Sequence, residues 1–255
     1  MFAFQKYQGT GNDFIMIDDT NFTFPSQNHQ LIAQMCDRRF GIGADGLILI
    51  QTITDYDFRM VYFNANGYEG SMCGNGGRCA VAFAKSLGIF DTNATFLACD
   101  GIHKAFIEGE NIHLQMKDVT TIETNDNFFF LDTGSPHYVE WVNDLENFEV
   151  VKKGKEIRYN DRFKEKGTNV NFVEKIGKQN LSVRTYERGV EDETYACGTG
   201  VTACAITANI HQKTSSPISI KVIGGELSVS FEEKNGIFTN IFLIGKAEKT
   251  FEGIF

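Results

Sequence analysis

Laid over itself at an offset of 124 positions (197 minus 73), the 255-residue chain repeats part of its own text. Tyr62 falls on Tyr186, Glu69 on Glu193, Cys73 on Cys197, Gly74 on Gly198, Gly76 on Gly200 and Ala84 on Ala208. The stretch from Cys73 to Ala84 thus mirrors that from Cys197 to Ala208 without a gap. Each copy reads as a strand, a turn-rich loop, a Cys-Gly-x-Gly step and then a helix. After the first step, Ala80, Phe83, Ala84 and Leu87 fall at i, i+3, i+4 and i+7, and Val201, Cys204, Ala205 and Ala208 do the same after the second. That spacing gives an amphipathic helix with one buried stripe. An offset close to half the chain calls for two similar α+β domains facing each other.

The rest of the chain fits that frame. Short apolar or alternating runs recur at Leu47–Ile50, Phe58–Phe63, Ile112–Met116, Leu181–Tyr186, Ile218–Val222, Leu227–Phe231 and Ile241–Ile244, bounded by Gly, Asn and Asp turns. These are strand signals. Helical stretches are few, the clearest at about 28–38, 76–87 and 200–211.

Charge and composition exclude several function classes. There are 24 Lys+Arg against 33 Asp+Glu, and no basic stripe is longer than Lys152 and Lys153 with Lys155. A nucleic-acid partner needs such a stripe, so none is expected. The N-terminus lacks the apolar run of a signal peptide, and no stretch approaches the roughly 18 apolar residues of a membrane span. Six cysteines in a chain of this length are too sparse for a disulfide scaffold. Reduced thiols and a cytoplasmic location follow.

The two repeated cysteines carry the chemistry. A helix start exposes N–H groups with no intrahelical partner, and the dipole adds partial positive charge there. Such a site favours a carboxylate, and it favours a thiolate by lowering a cysteine pKa below about 8.5. The following glycines let a ligand approach the backbone. One such junction would point to a nucleophile. Two on related domains point to a matched acid/base pair, the arrangement that inversion at a carbon next to a carboxylate requires. One thiolate removes the α-proton and the opposing thiol returns a proton to the other face. The N–H groups then stabilise the charge that develops on the carboxylate, and no electron-sink cofactor is needed.

Other uses of these residues are weaker. The Cys73–Cys79 and Cys197–Cys204 spacings are wrong for a metal site, and none is expected. Cys79, Cys204, Cys36 and Cys99 read as small core residues. The run from Gly41 to Gly46 matches G-x-G-x-x-G, but it precedes a strand where a dinucleotide fingerprint must follow one, so NAD is discarded.

Taken together, Gly9-Thr-Gly-Asn-Asp-Phe14, Arg39-Phe-Gly-Ile-Gly-Ala-Asp-Gly46, Met72-Cys-Gly-Asn-Gly-Gly-Arg-Cys79, Gly134-Ser-Pro-His137, Thr168-Asn-Val-Asn-Phe172, Tyr186-Glu-Arg-Gly189 and Ala196-Cys-Gly-Thr-Gly200 resemble the diaminopimelate epimerase family. The match runs in order from about residue 4 to residue 250. The paired Cys-Gly-x-Gly steps are shared with proline-racemase relatives, whereas Gly-Thr-Gly-Asn-Asp-Phe, Asn-Val-x-Phe and Glu-Arg-Gly are specific to the epimerase.

The resemblance implies an α+β fold of two pseudo-symmetric domains. Each would be a curved, mostly antiparallel sheet around a central helix, with the active site in the cleft between them. Residues 1–117 would carry Cys73, residues 118–243 would carry Cys197, and a tail from about 244 to 255 would return to the first domain. It further implies a cofactor-independent homodimer interconverting LL- and meso-2,6-diaminopimelate for lysine and peptidoglycan precursors. Cys73 and Cys197 would be the acid/base residues, and the N–H groups of Gly74, Asn75, Gly198 and Thr199 would hold the reacting carboxylate. Glu187 would accept from the reacting amino group, with Asn12 nearby, while Arg188, Asn64 and Asn169 would read the distal amino-acid head. A guanidinium pairs bidentately with carboxylate, and carboxamides suit a zwitterion.

Three positions depart from the family pattern. Ser135 stands where many members carry Asn, Gly46 where some carry Gln, and Asn66 where Asp is common. His137 reads equally as a structural imidazole or as a polar group near a thiol. The rival functions are a proline or hydroxyproline racemase, a non-catalytic amino-acid binder and a thiol-redox protein. The first is disfavoured because a proline ring offers no distal zwitterion to Arg188, Asn64 and Asn169.

Overall fold

A run such as Leu47-Ile-Leu-Ile50 has no polar face, so a strand built from it must be covered on both sides. In the computed structural model, which describes residues 1–255, it lies within the strand Gly46–Gln51, and all six residues are buried. The chain divides into two units, one formed by Met1–Leu114 with Gly245–Phe255 and the other by Gln115–Ile244.

The first unit is built from β1 (Ala3–Gly9), β2 (Asn12–Asp18), α1 (His29–Cys36), β3 (Gly46–Gln51), β4 (Phe58–Asn64), α2 (Gly74–Ser86), β5 (Asn93–Ala98), β6 (Gly101–Glu108) and β7 (Asn111–Gln115). The last strand of the chain, Glu248–Ile254, pairs antiparallel with β1. From there the sheet proceeds antiparallel to β2, parallel to β3, antiparallel to β4, parallel to β5, and antiparallel to β6 and β7.

The second unit is built from β8 (Ile122–Thr124), β9 (Phe129–Asp132), β10 (Pro136–Trp141), α3 (Val150–Arg158), β11 (Asn169–Lys175), β12 (Asn180–Glu187), β13 (Asp192–Thr194), α4 (Gly198–Gln212), β14 (Ile218–Val222), β15 (Gly225–Lys234) and β16 (Ile237–Gly245). Its pairings run antiparallel from β8 to β9 and β10, parallel to β11, antiparallel to β12, parallel to β14, then antiparallel to β15 and β16. The order of parallel and antiparallel steps is that of the first unit. The short β13 forms a flap on β12, and in the first unit its place is taken by an isolated antiparallel bridge between Phe63 and Glu69.

Each sheet is sandwiched between two helices. In the first unit, Leu47 and Leu49 share a core with Ile32, Met35 and Cys36 of α1. The alternate residue Ile48 meets α2, where a Cβ added at Gly76 would lie 3.2 Å from its Cδ1. In the second unit, Val150 of α3 packs with Val170, Phe172 and Tyr186. A Cβ on Gly154 would stand 2.3 Å from that of Tyr186, so the helix lies as close to the sheet as a bare backbone allows.

The helices expected at 28–38, 76–87 and 200–211 are α1, α2 and α4, while α3, half charged and with only two buried residues, was not anticipated. One expectation is corrected. The spacing predicts a single buried stripe on the two repeated helices, but residues 74–81 and 200–208 are buried on every side. Glycine, alanine, cysteine and threonine dominate there, and small side chains let the sheet close around the helix start.

Candidate active site

In the first unit, α2 begins directly after Cys73, which is half-buried and occupies the N-cap position with extended backbone. Its carbonyl accepts the first helical bond, from Gly77 N at 2.7 Å. The N–H groups of Gly74, Asn75 and Gly76 therefore precede the helical ladder. A hairpin aims at this helix start. Gly9 pairs with Asn12 across the two-residue loop Thr10-Gly11, and both loop residues have positive φ (58° and 83°), the geometry of a type I′ turn.

That turn puts Asn12 next to Cys73. The Cys73 thiol donates to Asn12 Oδ1 at 3.6 Å, and Asn75 Nδ2 donates to the same oxygen at 3.5 Å. Asn12 is oriented by its own Nδ2, which donates to Asp45 Oδ2 at 2.6 Å. Asp45 is held by Arg38, which also binds Asp13. Burial would raise the Asp13 pKa, but hydrogen bonds from Arg38 and Lys6 hold it at about 2.

Arg78 lies one turn along α2 and is completely buried without a carboxylate partner. It donates to Thr10 Oγ1 (2.8 Å), Asn75 Oδ1 (3.2 Å) and Gly74 O (3.3 Å), while its Nε has no acceptor. Burial lowers its pKa, and negative charge on the neighbouring sulfurs would oppose that shift.

In the second unit, α4 begins after Cys197, a buried N-cap residue whose carbonyl accepts from Val201 N at 2.8 Å. The loop Thr133-Gly134-Ser135 between β9 and β10 stands where Thr10-Gly11 stands in the first unit. Thr133 Oγ1 donates to Thr199 O at 2.8 Å, tying the loop to the helix start. Thr199 Oγ1 lies 3.5 Å from Cys197 Sγ and 3.1 Å from Ser135 Oγ. Ser135 Oγ lies 3.0 Å from His137 Nε2, and His137 Nδ1 lies 3.1 Å from Asn171 Nδ2. His137 is fully buried, and desolvation pushes its pKa down to about 3.

The remaining expected site residues fall in two groups. Asn169 Oδ1 accepts from the Arg188 backbone N–H at 2.9 Å, and its Nδ2 donates to Ser135 Oγ at 3.1 Å, so it joins the Cys197 cluster. Glu187 ends β12 and accepts from Thr194 Oγ1 of the β13 flap at 2.9 Å. The exposed Arg188 donates from Nη1 to Lys166 O at 3.0 Å. Asn64 is exposed at the end of β4, against Gly70, where an added Cβ would meet its amide at 2.8 Å. Gly46 admits no side chain, because a Cβ there would lie 2.4 Å from Phe63 O.

The other cysteines separate by burial. Cys36 and Cys79 are buried and pushed up to about 12 by desolvation, and burial likewise raises Cys204 well above the ordinary thiol value. Cys99, expected in the core, is instead exposed, with its thiol donating to Gly70 O at 3.4 Å. It lies in the turn between β5 and β6, so no core surrounds it.

Sequence reasoning did not single out Asn171, Arg78, Thr10 or Asp45. The available signal was the second Thr-Gly pair, at Thr133-Gly134, which repeats Thr10-Gly11 at an offset of 123 rather than 124.

A model of the family described as Diaminopimelate epimerase matches residues 4–122 and 129–250. The chain is 56% identical over 249 residues to a protein named Diaminopimelate epimerase from Flavobacterium psychrophilum, covering 97% of both chains. It is 44% identical over 255 residues to one of the same name from Chlorobaculum tepidum, covering 96% of this chain and 98% of that one. Among solved structures, a phenazine biosynthesis protein of the PhzF family from Bacillus anthracis aligns with a TM-score of 0.75 at 14% identity, over 100% of this chain and 99% of that one. A hydroxyproline epimerase from Agrobacterium vitis aligns at 0.70 and 12% identity, over 99% and 91%. At such identities the likeness is one of fold. No helix is long and apolar enough to cross a membrane.

Proposed function

The chain belongs to the diaminopimelate epimerase family, and from that premise we propose that it interconverts LL- and meso-2,6-diaminopimelate with Cys73 and Cys197 as the acid/base pair. One sulfur, as thiolate, takes the α-proton. The other, as thiol, gives its proton to the opposite face, so one C–H bond breaks, another forms, and the thiolate has changed places. In the reverse direction the roles exchange. The charge left by the departing proton spreads into the carboxylate, where the N–H groups of Gly74, Asn75, Gly198 and Thr199 receive it. Each donor of that kind is worth up to about 4 kcal/mol in a transition state.

Glu187 takes a hydrogen bond from the reacting ammonium, and Asn12 stands beside Cys73. Arg188, Asn64 and Asn169 bind the distal carboxylate and ammonium. The reading includes a homodimer and a reduced, cytoplasmic setting. In favour of the dimer is a last strand that pairs only with β1 and leaves Phe251 and Ile254 exposed.

One observation carries the reading. Two units of the same strand order each set a cysteine at the N-cap of a buried helix whose next residues are Gly-x-Gly. The test is α-hydrogen exchange of LL-diaminopimelate in deuterated water. The protein should incorporate deuterium as the centre inverts, and Cys73→Ser and Cys197→Ser should each slow this by roughly 10²–10⁴-fold. A protein that only binds amino acids leaves the α-hydrogen in place.

A further inference from the structure

We propose that Ser135 is a positioning residue that holds the Cys197 sulfur as a hydrogen-bond acceptor, and hence as the thiolate, through a directed chain from Asn171 by way of His137, Ser135 and Thr199. This rests on the reading of Cys197 as an acid/base group.

The direction of every bond in the chain follows from its anchors. Asn171 Nδ2 faces the Tyr138 carbonyl at 2.9 Å, and its Oδ1 accepts from Thr185 Oγ1 at 3.0 Å. Only a donor can face a carbonyl, so the amide orientation is settled. The same Nδ2 then donates its second hydrogen to His137 Nδ1. Nδ1 bears a lone pair, and the ring carries its hydrogen on Nε2, directed at Ser135 Oγ. Neutrality of the ring agrees with its complete burial.

Asn169 is anchored the same way. Its Oδ1 accepts from Arg188 N, so its Nδ2 is the group that donates to Ser135 Oγ. Ser135 Oγ therefore accepts two hydrogen bonds and has one hydrogen left, which goes to Thr199 Oγ1. Thr199 Oγ1, already accepting, turns its own hydrogen to Cys197 Sγ. A sulfur that receives a hydrogen bond there is stabilised as an anion, since bonds to charged groups are stronger than neutral ones.

The charged and titratable surroundings do not oppose this. Asp132 at the end of β9 and Arg188 beyond β12 act on His137 with opposite signs, and Cys204 on α4 is held as a neutral thiol by its burial and by the Cys197 charge. Glu187 on β12 is engaged by Thr194. On β10 and β11, Glu140 is bound by Tyr138 and Glu174 by the backbone of Asp144 and Leu145. On β12, Arg184 is paired with Glu193, and the charges of β14 and β15 are exposed.

The experiment is the pH dependence of Cys197 alkylation by iodoacetamide in the full-length protein, read by mass spectrometry of the Cys197 peptide. Ser135→Ala should cut the thiolate fraction at neutral pH by roughly tenfold, shifting the Cys197 profile upward by about one pH unit and leaving that of Cys73 in place. Ser135→Thr, which keeps the hydroxyl, should restore it. Thr199→Val interrupts the chain one bond nearer the sulfur and should give the same shift, with no further shift in the double variant. It also serves if Ser135→Ala does not fold. An unshifted profile in the folded variants, or a threonine at position 135 that does not rescue, overturns the proposal. The acid/base reading is tested separately. If Cys197→Ser still exchanges the α-hydrogen, that reading fails whatever the alkylation shows. If Cys197→Ser is inactive but Ser135→Ala leaves the profile unmoved, the chain alone is wrong.

Discussion

The burial of His137 makes a quantitative demand on acid stability. In the folded protein the imidazole is enclosed and neutral, with desolvation holding its pKa at about 3 against an ordinary 6.5. The unfolded chain takes up a proton below pH 6.5 and the folded one does not. Wherever the unfolded state binds more protons, stability falls as pH falls. The contribution is therefore complete above pH 6.5, shrinks between pH 6.5 and about 3, and is level below that. At about 1.4 kcal/mol per pH unit, the full span amounts to about 5 kcal/mol and the interval from pH 6.5 to pH 5 to about 2 kcal/mol. His137→Gln removes the titration. The assay is urea unfolding of both proteins at pH 7 and pH 5 at fixed ionic strength. Wild type should lose about 2 kcal/mol more than the variant between the two pH values, whatever the variant costs at pH 7. Carboxylates such as Asp13 titrate in both proteins and cancel. If both lose the same amount, the buried neutral imidazole is refuted.

Two further outcomes follow from packing and charge. Gly154→Ala gains up to about 1 kcal/mol of helix propensity but drives a methyl group to 2.3 Å from Tyr186 Cβ, so urea unfolding should show a net loss of about 1–3 kcal/mol. A gain would mean that α3 stands farther from the sheet. Arg78→Met removes a buried charge while leaving Thr10 Oγ1 and Asn75 Oδ1 without their donor. These effects offset, and the unfolding free energy should move by no more than about 2 kcal/mol either way. Loss of the guanidinium should nonetheless slow Cys73 alkylation at neutral pH several-fold, and unchanged rates would show that its charge does not reach the sulfur.

The frame of this molecule was legible because duplication leaves a mark that side-chain chemistry cannot hide. The 124-residue offset located both cysteines, both glycine steps and both central helices. The strands with uninterrupted or alternating apolar runs, such as Leu47–Ile50 and Ile218–Val222, were equally plain. Helix α3 was not, because two buried residues in nine leave almost no periodic signal. The polar layer behind each cysteine was invisible for another reason. Ser135 and Thr199 touch across 64 positions of sequence, and Asn171 and His137 across 34. Neighbours of that kind are created by strand pairing, and residue type alone gives Asn a turn and His a core position. Even the repeat failed here, because the β9–β10 loop is one residue longer than its counterpart and slips the register of Ser135 against Asn12.

That slip bears on how the two halves divide the work. The proposed reaction, run by two thiols at one stereocentre, requires one sulfur protonated while the other is not, yet duplicated backbones supply identical helix starts. The distinction has to come from side chains that the repeat did not preserve. Behind Cys73 stands Asn12 Oδ1, an acceptor fixed by the bond from Asn12 Nδ2 to Asp45, and an acceptor favours the thiol. Behind Cys197 stands the Thr199 hydroxyl, in the proposed chain a donor once Ser135 is satisfied, and a donor favours the thiolate. Arg78 then answers the reverse direction, in which Cys73 must ionise, because its counterpart 124 residues on is the neutral Thr202, which donates to Gly198 O. Under the proposed roles, the buried Arg78 beside Cys73 narrows the gap between the two proton arrangements. An enzyme that works in both directions needs that gap small.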